Sequence, residues 1–225
     1  MSEPNSRPSV LVYSRTTAFR HESIPAGVAA ISRLGREHGF AVTATEDPDV
    51  LTAEVARQSA VVFLSTSGTS VDAAGRAALE KWVRAGGGFV GVHGASTSDK
   101  DWPFYRELVA ARFVDHPAVQ EAPATVEDRT HPSTMHLDST WNRLDEWYNF
   151  DANPREDVRV LLSVDEARYE PGPHAMGDHP IAWCHEPHGG RSWYTALGHA
   201  SEAYTDPDFL AHLLGGIRWA ARLGA

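Results

Sequence analysis

Three short runs in the first 92 residues are apolar throughout, and nothing else in the chain restricts the fold as strongly. They are Val10-Leu11-Val12-Tyr13, Ala60-Val61-Val62-Phe63-Leu64 and Phe89-Val90-Gly91-Val92. A strand without polar alternation has to be covered on both faces, as in a parallel sheet between helical layers. The segments between the runs supply the helices. Ile24, Val28, Ile31 and Leu34 recur at helical spacing across 22–38, and Gly39 is a C-terminal stop. Residues 40–45 read as another strand. Residues 71–85 read as a helix with Ala74, Ala78, Leu79 and Trp82 inward, ended by Gly86-Gly87-Gly88. Alternating strand and helix predict an α/β fold: a mostly parallel sheet with helices on both faces.

The second half changes character. Residues 115–155 are rich in Pro, His, Asp and Trp and read as loops with extended pieces near 124–127 and 147–150. A strand is expected at 158–164 and a loop at 170–179. Strands at 181–185 and 192–197 form a hairpin, an antiparallel extension of the sheet. An amphipathic helix over 209–223 closes the chain. No internal repeat is present. The chain 1–225 reads as one domain, with 1–8, carrying Pro4 and Pro8, as a flexible N-terminus.

Charge and cysteine content exclude several functions. The net charge is −10 with no visible basic face, which argues against nucleic acid and against an anionic membrane surface. The single cysteine, Cys184, can form no intrachain disulfide, which fits a reducing cytoplasm. The N-terminal residues hold no apolar run, so no signal peptide or anchor is expected, and no stretch is long enough to span a bilayer. A homo-oligomer stays open.

Ligands in parallel sheets bind at the carboxyl ends of strands, here the loops 14–21, 65–70 and 93–98. The most informative segment is Gly91-Val92-His93-Gly94-Ala95-Ser96, small residues flanking one functional side chain between a strand and a helix expected near Asp101. That is the pattern of a nucleophile elbow with histidine at its centre. Imidazole suits a general base or a metal ligand better than a lasting covalent nucleophile. The run Gly190-Arg191-Ser192-Trp193-Tyr194-Thr195-Ala196-Leu197-Gly198-His199 ends a strand with a second histidine, and Glu202 follows. His93 and His199 then face one cleft.

These segments, with Phe19-Arg20-His21-Glu22, Phe113-Val114-Asp115-His116-Pro117, Asp145-Glu146-Trp147-Tyr148 and Asp178-His179-Pro180-Ile181-Ala182-Trp183, resemble the trehalose-utilization (ThuA-like) family along nearly the whole chain. The resemblance implies the flavodoxin-like fold of class I glutamine amidotransferases. Those enzymes carry cysteine at the elbow and a His-x-Glu after a late strand. Here His93 replaces the cysteine, and Gly198-His199-Ala200-Ser201-Glu202 has one residue too many. Cys184 sits on a different expected strand, so thiolate acyl transfer from glutamine is not expected.

The family association is with sugar metabolism and oxidised (3-keto) disaccharides, so the expected partner is a small carbohydrate. Two readings stay open. One is an isomerase, lyase or hydrolase working by histidine acid/base or metal-assisted chemistry. The other is a non-catalytic sugar-binding or regulatory module on a degenerate amidotransferase scaffold. His93, His199 and Glu146 are the catalytic candidates. His21, Trp102, Trp147, Arg191, Tyr194 and Glu202 are the candidates for binding substrate, the indoles through the C–H faces of a sugar ring. Arg191 is expected to fix a ligand oxygen or to pair with Glu146. A divalent metal such as zinc would take His93, His116 and His199; no His-x-His or His-Glu-x-x-His spacing is present, so this set rests on placement in the fold alone.

Overall fold

A computed structural model describes residues 7–224. Of the N-terminal stretch expected to be flexible, residues 1–6 lie outside that range. Residues 7 and 8 are tied down: the Arg7 guanidinium donates to the carbonyls of Gly35 and Phe40, and Pro8 accepts from the Ala41 amide.

The chain runs β1 (Ser9–Tyr13), α1 (Ile24–His38), β2 (Ala41–Thr45), α2 (Pro48–Glu54), β3 (Ala60–Leu64), α3 (Ala73–Arg84), β4 (Gly88–Val92), α4 (Pro103–Val109), β5 (Phe113–Asp115), β6 (Gln120–Val126), β7 (Thr140–Asp145), β8 (Asn149–Phe150), β9 (Arg159–Asp165), β10 (Asp178–His185), β11 (Arg191–Thr195) and α5 (Pro207–Ala220). One nine-stranded sheet has the order β2-β1-β3-β4-β11-β10-β9-β6-β7. From β2 to β11 every pairing is parallel, and from β11 to β7 every pairing is antiparallel. β5 and β8 form a separate small ladder. The expected parallel sheet with an antiparallel extension is what forms, and its parallel half has the flavodoxin-like order. Among the described residues no helix is long and apolar enough to cross a membrane.

β1, β3 and β4 carry almost no exposed surface, which is why their sequences lack alternation. Helix α1 buries Ile24, Ile31 and Leu34 and ends at Gly39 in a left-handed cap, as its spacing requires. α1 and α5 pack together on one face, and α2 and α3 pack together. Strand β11 separates the two layers by alternation. Ser192 hydrogen-bonds the Leu108 carbonyl of α4, while Trp193 packs on His212 of α5.

Several elements, β5 and the start of β6 among them, differ from expectation, and three show why. α2 was not anticipated; it is seven residues long and buries only Leu51, too little for a periodic signal. β7 was not anticipated either. Its inward positions are Trp141, Arg143 and Asp145, so two of its three buried side chains are charged and the apolar alternation is hidden. β10 begins at Asp178 rather than 181, with Pro180 accommodated beside a register shift against β9.

Candidate active site

Strand order decides where a cleft can open. Connections from β1 lead to β2 on one side and connections from β3 lead to β4 on the other, so the loops after β1 and β3 diverge at the carboxyl edge. A bridge between Thr16 and Ser67 ties them at their bases, and one between Gly68 and Ser98 ties the second to the turn after β4. A cavity of about 400 Å³ opens there. Phe19 and His21 line it from the first loop, Ser67 and Gly68 from the second, and Thr97 from the turn after β4. Lys100, Phe113, His116, Glu146 and Tyr148 complete the wall.

His93 opens the turn that follows β4 with φ +49°, a left-handed conformation that a non-glycine residue seldom adopts. Surrounding contacts hold it. The Tyr194 hydroxyl donates to the His93 carbonyl at 2.9 Å, and Tyr105 donates to the Ala95 carbonyl at 2.8 Å. Gly94 lets the turn lie against the loop after β3; a Cβ there would stand 3.1 Å from the Ser65 Cα. The fully buried His93 ring has Nδ1 2.6 Å from the Ala196 carbonyl. A carbonyl only accepts, so Nδ1 carries a proton, and in the neutral ring Nε2 turns a lone pair toward Tyr148, His21 and Glu146.

Three groups crowd that lone pair. His93 Nε2 lies 2.8 Å from the Tyr148 hydroxyl, 3.0 Å from His21 Nε2 and 3.4 Å from Glu146 Oε2. His199 Nδ1 lies 3.0 Å from the same Glu146 oxygen, without the alignment of a hydrogen bond. His116 approaches the other Glu146 oxygen at 3.4 Å from the solvent side, its Nδ1–H donating to the Pro117 carbonyl. His21 is buried, with Nδ1 unpartnered.

The electrostatics follow from this packing. Burial, reinforced by neighbouring His93, pushes His21 down to about 3, so it is neutral near pH 7. Burial acts to raise the Glu146 carboxyl, but the close approach of the His199 and His93 rings outweighs it and holds the group well below the usual carboxylate range. The Glu146 carboxylate in turn holds His199 above its ordinary value. Burial raises the Tyr148 phenol well above its usual value, so it donates as a neutral hydroxyl.

Asp145 sets the frame. Its carboxylate accepts from the backbone N–H of Glu146 at 2.9 Å, Gly198 at 3.0 Å and His199 at 3.2 Å. Gly198 has φ +109°, and a Cβ there would stand 2.9 Å from the Tyr204 hydroxyl.

His21, His93, His199 and Glu146 are thus brought together, with His116 at the outer side. The remaining sequence candidates are placed elsewhere. Trp102 caps α4, buried beside Tyr105 and under Arg76. Trp147 is fully buried and donates to the Gln120 carbonyl. In an extended segment alternate side chains face opposite ways, so Glu146 and Tyr148 look into the cavity while Trp147 looks into the core. Tyr194 is fully buried beneath the elbow and donates to the His93 carbonyl. Arg191 stands at the start of β11, the far end of the strand from His199, and pairs with Glu186 instead of Glu146. Glu202 is exposed and shares a neighbouring shallow hollow with His199. Of the metal set expected from sequence, His93 and His199 lie with His21 and Glu146 in a group whose ligand atoms are within 4.8 Å of one another, and His116 stands outside that group, 3.4 Å from the other Glu146 oxygen.

Sequence reasoning passed over Phe19, Phe113 and Tyr148 as cavity residues, although each sits inside a motif singled out for its histidine or carboxylate. Strand parity with Glu146 was the available signal for Tyr148. Cys184 is buried on β10, and burial pushes its thiol up to about 12.

The sequence profile of the ThuA family, described as trehalose utilisation, matches residues 9–220. A ThuA-like protein of known structure from Bacteroides uniformis superimposes with a TM-score of 0.79 at 25% identity, covering 97% of this chain and 94% of its own. Another from Parabacteroides merdae gives 0.78 at 18% identity, covering 96% and 90%. A β-galactosidase from Bacillus circulans sp. alkalophilus gives 0.62 at 14% identity over 94% of this chain but 31% of its own, a likeness of fold alone. No protein of curated function matches the chain in sequence.

Proposed function

This chain belongs to the ThuA, trehalose utilisation, family, and on that premise we propose that it is an enzyme of sugar metabolism acting on a keto-sugar, with a 3-keto-disaccharide as the leading substrate class. The observation that carries the reading is the cluster of His21, His93, His199, Glu146 and Tyr148: His21, Glu146 and Tyr148 line a cavity of about 400 Å³, with His93 2.8 Å from the Tyr148 hydroxyl and His199 3.0 Å from the Glu146 carboxylate. That volume lies in the range of small-molecule sites and suits a sugar unit. Phe19 and Phe113 offer apolar faces for ring C–H groups. Polar groups gathered at one wall suit a ketone, whose oxygen needs polarising and whose neighbouring C–H needs a proton acceptor. His93, His199 and Glu146 form the reacting set, and Tyr148 is a neutral donor beside it. Glutamine amide transfer is outside this chemistry, because His93 stands at the elbow and Cys184 is buried far along the chain on β10.

The test is incubation of the purified protein with a 3-keto-disaccharide and with the parent disaccharide in D2O, followed by NMR. Turnover of the keto form, or deuterium entering the carbon beside its ketone, is the expected result. Binding of the keto-sugar with neither turnover nor exchange would overturn the reading in favour of a sugar-binding module.

A further inference from the structure

We propose that His21 Nε2, His93 Nε2, His199 Nδ1 and the Glu146 carboxylate form a centre for one divalent first-row transition ion. The proposal stands apart from the sugar reading, because it rests on donor atoms and charge and not on any substrate.

The four side chains each offer one ligand atom, and these atoms all lie within 4.8 Å of one another. Ligand atoms about 2.1 Å from an ion are about 3.0–3.4 Å apart at octahedral or tetrahedral angles. The spacings here are 3.0 Å for His21–His93, 3.4 Å for His93–Glu146 and 3.0 Å for His199–Glu146.

Hydrogen bonding alone does not account for the cluster. His93 Nε2 carries a lone pair, because its Nδ1 proton is committed to Ala196. It takes the Tyr148 hydroxyl at 2.8 Å and also faces a carboxylate oxygen at 3.4 Å, and in the neutral ring His93 offers that oxygen no proton. His199 Nδ1 is buried beside Glu146 yet makes no aligned hydrogen bond. A cation at the meeting point of these atoms would give His199 Nδ1 the partner it lacks and relieve the close approach of His93 to the carboxylate.

Charge points the same way. Asp145 and Glu146 are adjacent buried carboxylates, and among the described residues no lysine or arginine pairs with either. Buried charge is normally paired or bound to metal. The outer contacts are also those of a metal centre: a backbone carbonyl orients His93, and Asp145 fixes the backbone that carries both His199 and Glu146. Three imidazoles and one carboxylate favour zinc, manganese, iron or cobalt over magnesium or calcium.

The experiment uses full-length protein without a histidine tag, stripped with chelator and dialysed. Co2+, Zn2+ and Mn2+ are then titrated, following visible absorption for Co2+, calorimetric stoichiometry and the thermal midpoint. The expected result is one ion per chain with d–d bands for Co2+ and a raised midpoint. The His93→Gln/His199→Gln double variant should lose the bands, and the exposed-site control His38→Gln should keep them. Should the double variant fail to fold, the isosteric Glu146→Gln should still weaken binding about tenfold or more. Folded wild-type protein that takes up none of the three ions stoichiometrically would overturn the proposal, as would undiminished binding in a folded double variant or in Glu146→Gln. Sugar turnover is not read, so failure here leaves the keto-sugar assay as an independent test.

Discussion

The carboxylate of Asp145 accepts the backbone N–H of His199 at 3.2 Å, so a residue at the end of β7 positions one that follows β11. The same carboxylate takes the Gly198 and Glu146 amides. Asp145 therefore acts through the backbone, without a place among the proposed ligand atoms. In Asp145→Asn one oxygen becomes an amide that meets an N–H donor. The expected cost is about 1–3 kcal/mol of stability, the scale of a buried donor left unpaired. Metal affinity should fall as well, because His199 loses its anchor. Urea denaturation and Co2+ titration of the variant check both parts.

Tyr194→Phe should behave as a structural change. The hydroxyl it removes holds the His93 carbonyl and meets Ser96 at 2.9 Å. A loss of about 1–3 kcal/mol is expected in thermal or urea unfolding. KM for a confirmed substrate should stay unchanged. A raised KM with unchanged stability would instead return Tyr194 to the substrate-binding set.

His93→Gln should abolish turnover of a keto-sugar while the fold persists, since the amide retains one hydrogen-bonding group but neither the imidazole lone pair nor its geometry. Steady-state kinetics beside a far-UV CD spectrum check it. Full activity in a folded His93→Gln would reduce the residue to a spacer in the elbow.

No ammonia should be released from glutamine. A buried thiol raised to about 12 supplies no thiolate near pH 7, and the elbow offers imidazole. A coupled glutamate assay on pure protein checks this; activity lost in Cys184→Ser would refute it.

Stability should fall as the solution is acidified below about pH 6.5, the ordinary histidine value. His212 is fully buried, bonded to the Ser133 carbonyl and facing Thr195, and burial pushes it down to about 3. The unfolded chain takes up a proton at this residue from about pH 6.5 downward, and the folded chain does not until about pH 3. Its contribution is therefore complete above the unfolded value and is lost as pH falls toward the folded one. The slope is about 1.4 kcal/mol per pH unit for the one proton. Urea unfolding of wild type and His212→Gln at pH 7, 6 and 5 should show a shallower decline in the variant, roughly by that one-proton slope.

The parallel half of the fold was legible because β1, β3 and β4 are buried on both faces and their sequences have no other use for so many apolar residues. The hairpin of β10 and β11 was legible from its turn. β7 was not, because Arg143 faces Asp206 in an ion pair and Asp145 faces the backbone of Gly198, so polar side chains stand where apolar ones mark a strand. In the candidate site, the strand-end rule placed His21, His93 and His199 on one edge. It gave no information about distance, and so it could not tell that His21 packs against His93 while His116 stands at the outer side of Glu146. The tryptophans misled for a plain reason. Indoles carry the largest apolar area, and the core claims them first; Trp147 and Trp102 went there, and the smaller Phe19 and Phe113 were left at the cavity.

β11 is the last strand in sequence and the fifth of nine in space, flanked by β4 on one side and β10 on the other. The parallel and antiparallel halves of the sheet share no other strand-to-strand joint. During synthesis both halves emerge before the strand that unites them, so each must wait with an open edge until β11 inserts. Three of the four clustered side chains are made before that moment, and His199 arrives only with the final strand. The cluster is therefore a late product of folding, closed by long-range pairing rather than by any local segment. Its completion marks a chain that has finished assembling its sheet.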